Sequence, residues 1–321
     1  MHPLLNSRRN FIKKASLAAS VYPVYSNFSH LMHSGNNTET EFSFHVFSKH
    51  LQFLDVAEMA ETVKEIGFDG PDLAVRPGGH VNPEKVTVEL PQAVKSIKAV
   101  GLNVKMMTTK ITNPDDLNTE IILKTASDLG IQYYRMGYLK YKKEISIEDN
   151  LLKLKPDIWT LAALNKKYGI HGAYQNHSGT YVGSPLWDLY ELIKGTDPKW
   201  LGCQYDIRHA VVEGGRSWPL GLNLLKAHIK SIVIKDFKWG EENGEWKIIN
   251  TPIGEGMVDF KKYFKLLKKY EIKVPVSVHF EYKMPEEDDS LNKEEKKKKT
   301  IEVMKKDLTK LKEMMKSAEL I

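Results

Sequence analysis

The sequence predicts an α/β fold, a single (β/α)8 TIM barrel behind an N-terminal export signal, and three observations lead there. Short β-branched or aromatic runs alternate with longer amphipathic ones through eight units, and glycines stand where the helices should stop. No glycine-rich phosphate loop follows the first strand, as an open, doubly wound sheet would favour. A chain of 321 residues suits such a barrel as one domain. We therefore expect residues 1–35 to form the signal and residues 40–321 the barrel.

In order, residues 42–47 (FSFHVF) read as the first strand, and residues 56–66 as a helix closed by Gly67. Strand 70–75 leads to helix 90–100 and Gly101, strand 103–108 to helix 116–129 and Gly130, and strand 132–136 to helix 148–168 and Gly169. The remaining strands are expected over 172–175, 201–205, 232–235 and 274–280, with helices over 185–194, 220–230, 258–270 and 294–317. In the last helix Ile301, Met304, Leu308, Leu311 and Met315 recur at helical spacing, which predicts core packing rather than a partner site.

The net charge of +6 invites a nucleic-acid reading that its distribution removes. Residues 1–15 and residues 293–321 each contribute +4, leaving about −2 between them. That body lacks the basic face on which phosphate binding depends, so no nucleic-acid partner is expected. At the left end, Ser7-Arg8-Arg9-Asn10-Phe11-Ile12-Lys13-Lys14 precedes a mildly apolar stretch, the pattern of a twin-arginine export signal, and implies a periplasmic protein. No stretch is long and apolar enough to span a bilayer. The lone Cys203 cannot form an internal disulfide and is expected to be a buried thiol.

Barrel chemistry sits at the carboxyl ends of the strands. Strand five ends in Tyr174-Gln175-Asn176-His177, strand six in Tyr205-Asp206-Ile207-Arg208-His209, strand seven in Ile234-Lys235-Asp236 and strand eight in His279-Phe280-Glu281-Tyr282. Two carboxylates, an imidazole and an amide oxygen, with no thiolate, are a ligand set for Mn, Mg, Co or Zn ions. Such a divalent ion would polarise the carbonyl of a hydroxyketone and stabilise the enediolate left by proton removal. A carboxylate would then act as base, with a Lys or His assisting. Around the mouth, His45, Lys49, His80, Lys110, Arg135 and Trp239 are further candidates, Lys110 and Trp239 for substrate contact.

At these residues the chain resembles the xylose-isomerase-like barrel family of sugar isomerases, ketose 3-epimerases, inosose dehydratases and endonuclease IV. The resemblance spans about residues 42–285 and rests on Gly67-Phe68-Asp69-Gly70, Tyr205-Asp206-x-x-His209, Ile234-Lys235-Asp236, the segment from Pro252 to Phe260, and His279-Phe280-Glu281. It implies a metal-dependent isomerase or epimerase of a sugar or keto-sugar, with Asp206 and Glu281 matching the family's metal ligands and His209 its substrate-contacting histidine. From the residues themselves we expect the metal ligands to be Asp206, His209, Gln175 and Glu281, the catalytic residues Glu281, Lys235 and His177, and the substrate a carbohydrate; a homo-oligomer is open. His209, Lys110, Asp236 and Trp239 would contact substrate. Two positions depart from the family pattern: Gln175 stands where a Glu is expected and Val233 where a metal-binding His would be. Gln cannot act as a base, so His177, His209 or Lys235 would have to supply the missing proton carrier. A lyase acting by β-elimination on 3-keto-glycosides, or a sugar-binding protein on a degenerate barrel, are the alternatives. Endonuclease IV needs a richer metal cluster and a basic DNA face, and is disfavoured.

Overall fold

Eight short strands, buried at every position but Tyr133 and Lys230 and carrying polar residues such as His45, Asp72 and Gln204 among the apolar ones, close on themselves. A computed structural model of the chain describes residues 42–321, so the export segment expected over residues 1–35 lies outside the described residues. The elements run β1 (Phe44–Phe47), α1 (Val56–Ile66), β2 (Gly70–Ala74), α2 (Val86–Ala99), β3 (Met106–Thr108), α3 (Leu117–Asp128), β4 (Tyr133–Arg135), α4 (Ile147–Tyr168), β5 (His171–Gln175) and α5 (Leu186–Ile193). They continue with β6 (Leu201–Asp206), α6 (Ile207–Gly214), α7 (Trp218–Leu225), β7 (Ile229–Ile234), β8 (Asp236–Glu242), β9 (Glu245–Thr251), α8 (Phe260–Lys269), β10 (Val276–Val278) and α9 (Lys293–Ser317). Eight strands form a closed parallel barrel in the order β1-β10-β7-β6-β5-β4-β3-β2, with β8 and β9 as a separate antiparallel ribbon. Closure is made by β1, which pairs Phe44 with Val276 on one side and His45 with Gly70 on the other.

Local chemistry sets the element ends. The α1 helix starts at a capping box of Asp55 and Glu58 and stops at Gly67, whose φ of 98° a side chain would resist. The motif after it is structural: Asp69 accepts the Phe44 N–H at 2.7 Å, and a Cβ on Gly70 would strike the Asn103 carbonyl. The α9 helix opens on a second capping box, Asn292 with Glu295, and buries Ile301, Met304, Leu308, Leu311 and Met315 in the main core as expected. Cys203 is buried and unpaired.

Two parts of the chain depart from the expected pattern. Asp206 ends β6 and at once caps α6, its carboxylate accepting the His209 N–H, so two short helices replace the single one expected over 220–230. After β7 the chain rises into the β8–β9 hairpin, pairing Asp236 with Thr251 and Trp239 with Ile248, where an uninterrupted path to the next helix was expected. Among the described residues no helix is long and apolar enough to cross a membrane.

Candidate active site

The barrel order sets β10, β7, β6 and β5 side by side, so their carboxyl ends deliver Glu281, Lys235, Asp206 and Gln175 to one arc of the mouth. Lys235 stands in the middle. Its Nζ lies 3.0 Å from Asp206 Oδ2, 2.8 Å from His209 Nε2 and 3.6 Å from Glu281 Oε1. On the far side of Glu281, Lys49 donates to both carboxylate oxygens at 3.2 Å. On the far side of Asp206, the Gln175 amide donates to Oδ2 at 2.7 Å, while its oxygen accepts from Arg135 Nη1 at 2.9 Å and from the Tyr138 hydroxyl at 2.7 Å. A guanidinium can only donate, so these bonds fix which end of the Gln175 amide faces Asp206.

Charge states follow from this packing. Burial works against the Glu281 carboxylate, but the Lys235 and Lys49 ammonium groups outweigh it and bring the pKa down to about 2. Burial first, then the Lys235 charge, hold His209 and His279 well below the usual histidine value, so both imidazoles are neutral at pH 7. His209 Nε2 lies 2.8 Å from Lys235 Nζ, and its Nδ1 lies 2.7 Å from Ser178 Oγ and 3.0 Å from Arg208 Nη1.

His177, the third expected catalytic residue, sits half-buried after β5 with its ring centroid 4.1 Å from that of His209. Its Nδ1–H donates to the Ser178 carbonyl at 2.8 Å, which leaves an Nε2 lone pair. Burial lowers its pKa, so it is a neutral base. Glu281 and His177 thus flank the Lys235–Asp206 pair from opposite sides of the arc.

Other expected site residues lie elsewhere. Asp236 does not face substrate: it is buried, and its carboxylate accepts the backbone N–H groups of Phe237 (2.8 Å), Gly256 (2.9 Å), Gly254 (3.0 Å) and Val258 (3.2 Å). The expectation of substrate contact is corrected, because no lone pair is left facing the mouth and the residue anchors the 252–258 loop. Lys110 is exposed in a separate groove of about 360 Å³ beside Asn82, Thr112 and Asp116, away from the Lys235 cluster. Trp239 lies on the hairpin, partly exposed and edge-on to Phe237. His45 bonds Ser43 and His80 bonds Ser48, both as supports within the wall.

Sequence reasoning gave no role to Tyr138, Arg208, Asn250 or Asn176, which the structure ties into the site. Arg208 Nη2 donates to Asn250 Oδ1 at 2.6 Å, Asn250 Nδ2 donates to the Glu281 carbonyl at 3.1 Å, and Asn176 exchanges two bonds with the Asp206 backbone. Position just past a strand end would have found Tyr138, Arg208 and Asn176. Asn250 reaches the mouth from the unforeseen hairpin and had no such signal.

In the arrangement of these side chains the expected ligand set of Asp206, His209, Gln175 and Glu281 does not fit a divalent ion. The Lys235 ammonium already claims Asp206 Oδ2 and the His209 lone pair, and Gln175 turns its N–H, not its oxygen, toward the centre. Among the described residues no three His, Cys, Asp or Glu side chains gather as a metal-holding group.

Residues 61–307 match the family model for the xylose isomerase-like TIM barrel. Solved structures of similar fold include a D-tagatose 3-epimerase-like protein, 16% identical, with a TM-score of 0.63 over 86% of this chain and 98% of that one. Another is the 3-keto-D-glucoside 4-epimerase from E. coli, 14% identical, with a TM-score of 0.60 over 85% of this chain and 99% of that one. An IOLI protein with a binding zinc atom is 14% identical, with a TM-score of 0.62 over 87% of this chain and 99% of that one. At such identities the likeness is one of fold. No curated protein matches the chain in sequence. On the family-model match, which spans most of the sequence, the chain belongs to the xylose isomerase-like TIM-barrel family.

Proposed function

We propose that the protein is a sugar isomerase or epimerase that works on a keto-sugar through an enolate or enediolate. The observation that carries this reading is the arc of Glu281, Lys235, Asp206 and His177, with a carboxylate and a neutral imidazole on either side of a buried ammonium. The Lys235 ammonium donates to the substrate carbonyl oxygen. The Glu281 carboxylate takes the proton from the adjacent carbon, and the C–H electron pair moves into the carbonyl, whose oxygen becomes the enolate oxygen held by Lys235. His177, protonated from solvent at Nε2, returns a proton to the opposite face of that carbon, and Glu281 releases its own to water. A carboxylate with a pKa near 2 is a weak base in the empty site. When substrate oxygens draw Lys49 and Lys235 into their own hydrogen bonds, that restraint on its basicity falls.

The family and the sugar epimerases that share the fold support the substrate class. The same enolate could instead expel a leaving group one carbon further on, which is the lyase reading. Incubation in D2O with a panel of free and C3-oxidised sugars, with NMR of carbon-bound deuterium and of product, tests both. The expected result is deuterium next to the ketone in an epimer or isomer. An unsaturated product would establish the lyase, and absence of exchange on every keto-sugar would overturn both.

A further inference from the structure

We infer that Lys235 is the resident cation of this site, an organic charge fixed where a divalent ion would serve, so that the protein turns over without metal. The exclusion of metal stands on geometry alone, while the catalytic role of the ammonium rests on the proposed function. Strand order places β7 between β6 and β10, so a long side chain from its end rises directly between Asp206 and Glu281. The Nζ contacts of 2.8 and 3.0 Å are hydrogen-bond lengths, so the ammonium is bonded to both Asp206 and His209.

Each neighbour is arranged to receive N–H groups. Asp206 accepts from Lys235 and Gln175 through Oδ2 and from the His209 backbone through Oδ1. The His209 ring is held between Ser178 and Arg208 on its Nδ1 side, with Nε2 facing Lys235. Gln175 is held in the orientation that no cation could use as a ligand, because Arg135 and Tyr138 claim its oxygen. The third Lys235 N–H points toward Glu281 Oε1 at 3.6 Å, a long contact that leaves it available to a substrate oxygen. Lys49 and Arg208 crowd the same cluster, and Val233 on β7 is buried and apolar, offering no further ligand. An ammonium stabilises an enolate by charge and hydrogen bonding, as a Lewis-acid metal does by coordination.

Calorimetric titration of the chelator-treated full chain with MnCl2 and with ZnCl2 tests the exclusion, with Asp206→Asn as reference. The expected result is that the two proteins titrate alike. One equivalent bound at micromolar affinity by the wild type and lost in Asp206→Asn would overturn it. The catalytic half is read by deuterium exchange on a sugar that turns over. Exchange should survive EDTA, fall at least 100-fold in Lys235→Met without rescue by Mn²⁺, and be partly retained in Lys235→Arg, whose charge and thermal unfolding separate folding from chemistry. Exchange abolished by EDTA and restored by Mn²⁺ would overturn it. If no sugar exchanges, the proposed function fails while the titration still decides whether metal binds.

Discussion

Replacing Asp236 by Asn should unfold the 252–258 loop without touching the chemistry directly. The carboxylate is buried and serves two pairs of backbone donors: Phe237 and Val258 on Oδ1, Gly254 and Gly256 on Oδ2. An amide in its place keeps one acceptor oxygen. Whichever way it turns, two N–H groups lose a charged acceptor and face an NH2 instead. Bonds to charged groups are worth roughly 1.5–3 kcal/mol each, so the loss is on the order of 3–6 kcal/mol unless the loop yields first. Gly256→Ala should act in the same direction, since a Cβ there would overlap Asp236 Oδ1 and the Phe237 carbonyl. Urea unfolding followed by circular dichroism and tryptophan fluorescence measures the change. If Asp236→Asn costs less than about 1 kcal/mol yet abolishes sugar binding, the carboxylate faces substrate and the anchoring argument is wrong.

Three further expectations follow from the same contacts. Burial holds His45 at about 3 and His171 at about 4, against 6.5 for a free histidine, so their contribution is complete above pH 6.5 and lost as pH falls toward those values, at about 1.4 kcal/mol per group and pH unit. Urea midpoints should therefore drop between pH 7 and 5, less steeply below about 6, where Asp307, raised there by burial, takes up a proton in the folded state and acts in the opposite sense, and a flat profile there would contradict it. Lys49→Met should raise the Glu281 pKa from about 2 toward the ordinary 4.5, because one of the two ammonium groups that hold it down is gone; carbon-13 titration of the carboxyl reads this, and an unmoved value would remove Lys49 from the account. We also propose that residues 1–35 export the folded protein, so that changing Arg8 and Arg9 to Lys should keep a reporter fused behind them in the cytoplasm, and undiminished export would refute it.

The barrel was legible because its signals are local. The strands are short β-branched or aromatic runs set between amphipathic helices, and a left-handed stop favours a glycine, so Gly67, Gly101, Gly130 and Gly169 mark the helix ends one by one. The hairpin was illegible for the opposite reason. Nine of the 16 residues from 236 to 251 are exposed, their alternation is broken by Gly240 and Gly244, and the strands pair only with each other. The short α6 was hidden by the same residue that gives the site its charge, since Asp206 is at once the end of a strand, a helix cap and the partner of Lys235.

The site shows where composition at strand ends stops being sufficient. Asp206, Glu281, His209 and Gln175 are the right residue types for a cation, and the structure does set Asp206, Glu281 and His209 around one, with Gln175 behind Asp206. Sequence cannot say that the cation is Lys235, because a lysine one strand over reads equally well as a solvated neighbour. Nor can it say that Asp236, the next residue along, turns away from the mouth. The two side chains part because β7 ends between them: Lys235 enters the mouth, whereas Asp236 begins the hairpin and finds four backbone donors in the loop that returns to α8. The Gly254-Glu255-Gly256 stretch, part of the segment that carries the family resemblance, is therefore a carboxylate cradle. Gly256 is required by close approach to Asp236 and Gly254 by its φ of 83°, and the segment holds Lys235's neighbour out of the way.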